Sequence, residues 1–342
     1  MAKKTGSLRR YFITRILLVI PMVWILLTMV FLLMRVAPGD PVSAAMGGKL
    51  SAADLAARKH ALGLDKPLIV QYLEYLRDVV TLNFGTTLTD NRSVRSIIID
   101  NGGATLSLSV CALIVALGIG LPLGLFGGRV RDRVPDVVIR LFGIVTYAAP
   151  VFFTGLIFQI IFSKNLNILP SSGQASAIVQ ATVPTRTHIL LLDAALTGDP
   201  YSFWDCVQHL LMPSITLGLL ICGVFIRLVR VNVVQALQGD YIEAARARGI
   251  PERRVVNRHA FRNALVPVIT VMGLQVALLL GGSVLTEQTF NWPGLGTQLI
   301  TYMNGRDYNA VQGIITVFAL VVVVISMIID FVNALIDPRV RY

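Results

Sequence analysis

Runs of about twenty consecutive apolar residues recur along this chain, each long enough to cross a hydrocarbon core of about 30 Å at 1.5 Å per residue. Where such a run meets lipid, every backbone N–H and C=O must be satisfied internally, which points to a bundle of membrane-spanning α-helices. The composition agrees: 55% of the 342 residues are hydrophobic and 14% charged, against a charged share of roughly 25% in soluble domains. A water-soluble globular enzyme is thereby excluded, and so is intrinsic disorder, which needs low hydrophobicity. Three cysteines cannot build a disulfide framework, and Cys111 and Cys222 lie within apolar runs.

The hydropathy pattern predicts six spans, at about residues 12–34, 104–126, 139–162, 211–231, 265–287 and 309–333. The fourth is the least regular, because Pro213 and Gly218 interrupt it and Arg227 and Arg230 close it, so five or seven spans are the neighbouring readings. Gly118, Gly120, Pro122 and Gly124 form a small-residue pattern in the second span, which fits close helix packing. The apolar run from Ile16 to Met34 is too long for a signal peptide and reads as an uncleaved first helix.

The net charge of +11 would suggest nucleic acid in a soluble protein. Here its distribution gives a different meaning. Lys and Arg outnumber Asp and Glu in 1–11, 127–138, 232–264 and 334–342 and at the adjoining helix ends, whereas the segments on the other side are balanced. The positive-inside rule therefore puts both termini in the cytoplasm and makes the charge a matter of topology. The predicted layout is a cytoplasmic N-terminus and first helix over 1–34, an extracytoplasmic helical loop over 35–103, and a core membrane domain over 104–342.

Between the spans, Ser51 and Asp54 have capping-box spacing ahead of an alanine-rich helix that reaches Leu62 and stops at Gly63. A second helix is predicted after Pro67, with Leu68, Tyr72, Leu73, Tyr75 and Leu76 as its apolar face. The stretch 163–210 carries Pro170, Gly173, Pro184 and Pro200 and reads as irregular. Both outer segments suit either a docking surface or plain connection.

The loop 232–264 is long, basic and helical in pattern. Asp240 is predicted as an N-cap, with Glu243 near the positive helix end and Gly249 and Pro251 as the stop. An amphipathic helix with Val255, Val256, Ala260 and Phe261 follows.

Glu243, Ala244, Ala245 and, after three residues, Gly249 resemble the cytoplasmic hallmark of the membrane subunits of ABC importers. Ala37 to Pro41, Gly63 to Pro67, Arg258 to Ala260, Arg262 to Pro267, Pro293 to Gly296, Arg306 to Tyr308, Val311 to Gly313 and Asp337 to Arg341 are similar, in order, to the dipeptide/oligopeptide permease family. The likeness spans nearly the whole chain and is to the B-type subunit. The distance from Gly249 to Pro267 follows the peptide subfamily, whereas 163–210 is longer than the resemblance implies.

The resemblance implies an all-α, type I ABC importer membrane fold in the prokaryotic inner membrane. It also implies a homologous C-type permease partner, cytoplasmic ATPases that hold ATP and Mg, and an extracytoplasmic binding protein. The implied coupling residues are Asp240, Tyr241, Glu243, Ala244, Ala245, Arg246, Arg248 and Gly249. In that reading Ala244 and Ala245 enter a cleft on the ATPase, Glu243 and Arg246 make polar contacts at its rim, and Gly249 turns the chain back.

No phosphate-cradling Gly-x-x-x-x-Gly-Lys-Ser/Thr sequence occurs; Gly47, Gly48 and Lys49 are followed by Leu50. No cofactor, catalytic residue or metal set is expected in this chain, and His60, His188, His209 and His259 share no ligand spacing. Gln275, Glu287 and Asp330 are candidates for a polar passage, with Glu287 and Asp330 otherwise reaching the outer and inner interfaces and Gln275 otherwise bonding a neighbour. The rival readings are an ion-coupled carrier using those acids, the same importer class moving nickel, glutathione or another small solute, and a membrane-embedded enzyme, for which no clustered nucleophile is visible.

Overall fold

In the computed structural model, residues 8–36, 51–61 and 63–336 are described. The sequence signals at 37–41, 47–50, 62 and 337–341 lie outside them. The described chain is helical, with a single isolated bridge between Thr86 and Ser93. Five helices are each long and apolar enough to cross a membrane, and a sixth crossing is a bent pair.

The first crossing is α1 (Leu8–Val36). It packs on the last helix through Phe12 and Phe331, whose ring centroids lie 4.6 Å apart. Two short helices follow, α2 (Ala52–Ala61) and α3 (Leu68–Val80). The Ser51 hydroxyl accepts from the Asp54 N–H at 3.2 Å and donates to the Asp54 carboxylate at 2.6 Å, a working N-cap, and Gly63 takes φ +67°. On α3 the packed face differs from the predicted one. Gln71, Tyr72, Tyr75 and Val79 turn inward, while Leu68 and Leu73 stay 63% and 59% exposed. Hydroxyl contacts from Tyr72 to Thr28 and from Tyr75 to Thr316, at 2.6 and 2.8 Å, rotate the helix onto its tyrosines.

The core lies between α4 (Val94–Arg129) and α9 (Pro200–Ala236), both longer than the hydropathy pattern predicts. The extra length of α4 is amphipathic rather than apolar, with Val94 and Ile97 buried beneath the outer loops. Asp199 caps α9 by accepting the Tyr201 and Ser202 N–H groups at 3.2 and 3.0 Å. The two helices run parallel with their backbones nearly touching: a Cβ at Gly120 would stand 2.7 Å from Phe225, one at Gly124 2.7 Å from Val229, and one at Gly128 2.8 Å from Val233. Gly118, on the other side of α4, meets nothing. The period of four, Gly120 to Gly128, is the packing stripe.

The third crossing is not one straight helix. α5 (Val134–Ala148) and α6 (Val151–Phe158), the latter extended by a π-helical turn over Gln159–Asn165, meet at 103°. Pro150 explains the break: it lacks an N–H for α5 and forces Ala149 into extended backbone at ψ 128°.

The stretch 163–210 is more structured than its prolines suggest. It holds α7 (Ala177–Thr182), α8 (Leu190–Thr197) and the start of α9, around a small core of Ala175, Val179, Val183, Ala194 and Cys206. Asp193 locks this unit by accepting from Thr187 and Arg186 N–H groups and the Thr187 hydroxyl; burial alone would raise its pKa, but these bonds bring it below the usual carboxylate range.

Beyond α9 come α10 (Asp240–Ala247), one turn at Glu252–Arg254, a π-helical turn at Val255–Ala260, α11 (Phe261–Thr289), α12 (Leu295–Asn304) and α13 (Tyr308–Ile336). Alternation of the crossings puts the start of α1, the α4–α5 turn, α10 and the end of α13 at one end, and α3, α7, α8 and α12 at the other.

Candidate functional site

α10 is eight residues long, about 12 Å at 1.5 Å per residue. The N-cap is Gly239, at φ −81° and ψ 146°, and Asp240 is the first helical residue rather than the predicted cap. The reason is local. The Tyr241 ring folds over Gly239, where a Cβ would stand 2.6 Å from the ring. Asp240 and Glu243 then place two carboxylates in the first turn, at the positive end of the helix dipole.

At the other end Gly249 sits at φ +72°, donating to Arg246 O at 2.9 Å while Ile250 N–H reaches Ala245 O at 3.3 Å. This pair of bonds is a Schellman stop, and Ile250 packs on the apolar cluster that contains Ala245. No atom lies within 4 Å of a Cβ at Gly249, so the left-handed backbone alone explains the glycine.

Two residues hold α10 to its own chain. Ile242 and Ala245 are buried against Val255 and Ala260, with Ala236, Leu237 and Ile250 around them. Ala245 therefore faces inward and is not available to an outside cleft, contrary to the sequence reading. Arg246 likewise turns to its own loop, donating to both oxygens of Glu252 at 2.7 and 3.1 Å. That pair raises the Arg246 pKa and lowers that of Glu252. The outward surface is Asp240, Tyr241, Glu243, Ala244, Ala247 and Arg248, all exposed, with Arg246 exposed beside them in its pair with Glu252.

The three candidates for a polar passage are separated. Gln275 is 6% exposed on the packed side of α11, its Oε1 without a hydrogen-bond partner among the described residues, while Leu274 and Leu278 form the open side at 70% and 55%. Glu287 is fully buried near the end of α11. Its carboxylate accepts from the Thr105 hydroxyl at 2.7 Å and the Thr297 N–H at 2.9 Å, capping α12. Gly294 and Gly296 leave room for it; a Cβ at either would collide with the carboxylate. Asp330 is half-buried and pairs with Arg15 at 3.2 Å.

Besides Asp193, two buried carboxylates are absent from the sequence-based candidates. Asp307 caps α13 by accepting the Ala310 N–H at 3.2 Å, and also takes the N–H groups of Leu88 and Thr89 at 2.5 and 2.9 Å, stapling the outer loop to the last crossing. Asp136, in the first turn of α5, meets Arg230 of α9 in a two-point bond at 2.5 and 2.7 Å. Arg230 is visible in sequence as a charge inside an apolar run; Asp136, 94 residues away among arginines, carries no such signal. Among the described residues no group of three His, Cys, Asp or Glu side chains is placed to hold a metal ion.

Residues 120–342 match the model of the binding-protein-dependent transport system inner membrane component family, and residues 8–109 match the model of the N-terminal region of such membrane components. The chain is 38% identical to the di/tripeptide transport system permease protein DppB of Pseudomonas aeruginosa over 329 residues, covering 96% of this chain and 97% of that protein. It is 35% identical to the dipeptide transport system permease protein DppB of Escherichia coli over 339 residues, 97% and 99% of the two chains. The glutathione transport system permease protein GsiC of Salmonella choleraesuis is 35% identical over 332 residues, again 97% and 99%.

Proposed function

Since this chain belongs to the binding-protein-dependent transport system inner membrane component family, we propose that it is half of a translocation path for short peptides, driven by ATPases gripping α10. It is a multi-pass inner membrane transporter subunit, and the names of its relatives support di- and tripeptides, with glutathione in the same size class. The observation that carries the coupling is the division of α10. Ile242 and Ala245 anchor it, and Asp240, Tyr241, Glu243, Ala244, Ala247 and Arg248 stand outward on a short helix that Gly249 ends abruptly. Ala244 and Ala247, one turn apart, are the small side chains of the exposed surface, so close approach by a partner centres there.

The basic loops and the alternation of crossings support cytoplasmic placement of both termini and of α10. ATP and Mg then belong to the cytoplasmic partners, because the sequence has no phosphate-cradling loop. A homologous C-type permease completes the pore, and an extracytoplasmic binding protein delivers cargo to the end built by α3, α7, α8 and α12. An ion-coupled carrier is the weaker reading: Glu287 is capped by its own chain and Asp330 is paired with Arg15.

The test is affinity purification of the tagged chain in mild detergent, followed by ATPase assay and by uptake of labelled dialanine into proteoliposomes containing the binding protein. Co-purified ATPase subunits, and ATP-dependent uptake lost on Ala244→Asp while the chain stays folded, are the expected results. A lone chain that moves dialanine on an ion gradient without ATP would overturn the proposal.

A further inference from the structure

α9 runs directly into α10 through Leu237 to Gly239, so whatever moves α10 pulls on the last turns of α9. There Arg230 holds Asp136 of α5, with Nε on Oδ1 at 2.5 Å and Nη2 on Oδ2 at 2.7 Å. The carboxylate is completely buried, and its Oδ2 also accepts the Asp132 N–H at 2.9 Å, fixing the α4–α5 turn. Arg140 and Asp132 stand further off, at 3.8 Å from the carboxylate and the guanidinium respectively. Gly127 makes space for the pair, since a Cβ there would lie 3.3 Å from Asp136 Oδ1.

Seven residues along each helix, Gly143 of α5 rests on Gly223 of α9, so the antiparallel helices also meet closely two turns from the ion pair. The Gly143 contact is mainly backbone on backbone, with Ile226 beside it and only the weak bond from the Cys222 thiol to the Thr146 hydroxyl at 3.7 Å to interlock. Stability does not account for the ion pair, because a buried pair is commonly no more stabilising than apolar residues of the same volume. Its distinctive property is directional: two parallel charge-assisted bonds resist both sliding and rotation.

What α5 does with that grip is set by the bend at Pro150. Beyond it α6 reaches the opposite end of the bundle, where Gly155 lies against Thr289 and Phe290 and the Gln159 amide donates to Thr289 O at 3.0 Å and Ser171 O at 2.8 Å. A continuous path thus runs from α10 through Arg230 and Asp136 to the end of α11, beside the Glu287 cap.

We infer that Asp136 and Arg230 are positioning residues of the transport cycle, a strut that makes the bent crossing follow α10. The inference rests on the ATP-driven reading above. Assembled complexes with the binding protein are compared for dialanine uptake and ATP hydrolysis in the same proteoliposomes. Asp136→Asn and Arg230→Gln are each expected to keep hydrolysing ATP but to move at least tenfold less dialanine per ATP. The double variant is expected to lose no more than either single one, because the two act as a unit. Arg230→Lys, which keeps the charge without the two-point geometry, is expected to fall between.

A purely structural role would lower the melting temperature and leave uptake per ATP unchanged; that result overturns the inference, as does a double variant whose losses multiply. If Asp136→Asn fails to assemble, Arg230→Lys decides alone, an unchanged ratio being the refutation. A wild-type complex that moves no dialanine on ATP refutes the underlying reading instead, and the strut with it.

Discussion

The two ends of the bundle are held in opposite ways. Around α12, polar groups are enclosed and matched: Glu287 takes Thr105 and Thr297, Asp307 takes Leu88, Thr89 and Ala310, and the Trp292 indole donates to Ala104 O at 2.9 Å. Around α10 the attachment is a small apolar cluster and one exposed ion pair. A buried polar network is costly to rearrange because each opened bond leaves a group without water. A small apolar peg with a solvated rim is not. The far end is built to keep its shape, and the α10 end to shift at little cost.

That contrast breaks most visibly at Glu287. Glu287→Ala orphans the Thr297 N–H and leaves the Thr105 hydroxyl, whose oxygen still accepts the Leu295 N–H, with no acceptor for its proton, at about 1–3 kcal/mol each. The expected outcome is a fall of many degrees in the melting temperature of the purified protein, and little change would mean the network is slack. Ile242→Ala removes the largest anchor of α10, worth about 2–4 kcal/mol locally. Its loss is expected to open 240–254 to limited proteolysis without shifting the global melt.

Gly249→Ala forces a side chain into left-handed backbone at about 1–2 kcal/mol. Gly249→Asn, which tolerates that backbone better, is expected to retain more ATP-dependent uptake, and equal loss in both would point to a contact rather than a turn. The smallest effect belongs to Arg246→Ala, under about 1 kcal/mol because both partners are about half exposed. Because Arg246 holds the Glu252 pKa below its ordinary value, the pair's contribution is present above the usual carboxylate range. It is lost as pH falls through the lowered value, so Arg246→Ala and the parent are expected to converge in protease sensitivity at acid pH.

What the sequence made legible was local or apolar. Spans, the Ser51 cap and the Gly249 stop depend on neighbours a few residues away or on runs of hydrophobicity, and all three are present. What escaped depends on distance. Nothing near Asp136 announces Arg230, nothing near Glu287 announces Thr105, and the inward turn of Ala245 depends on Val255 and Ala260 folding back beneath it. On α3 the face was misjudged because two tyrosines found hydroxyl partners on other helices, and that outweighed the burial of Leu68 and Leu73.

Pro150 has one more consequence, and it concerns the bilayer. α5 ends after 15 residues, about 22 Å of rise, while the five straight crossings are 23 to 37 residues long. Against a hydrocarbon core of about 30 Å α5 alone is too short, so the crossing is completed only through the bent α6, and a change in bilayer thickness, at fractions of a kcal/mol per Å of mismatch, falls on that bend. Acyl-chain length is then a variable acting directly on the segment that Asp136 ties to α9. A thinner membrane relieves it, a thicker one strains it, and a single imino acid sets the difference.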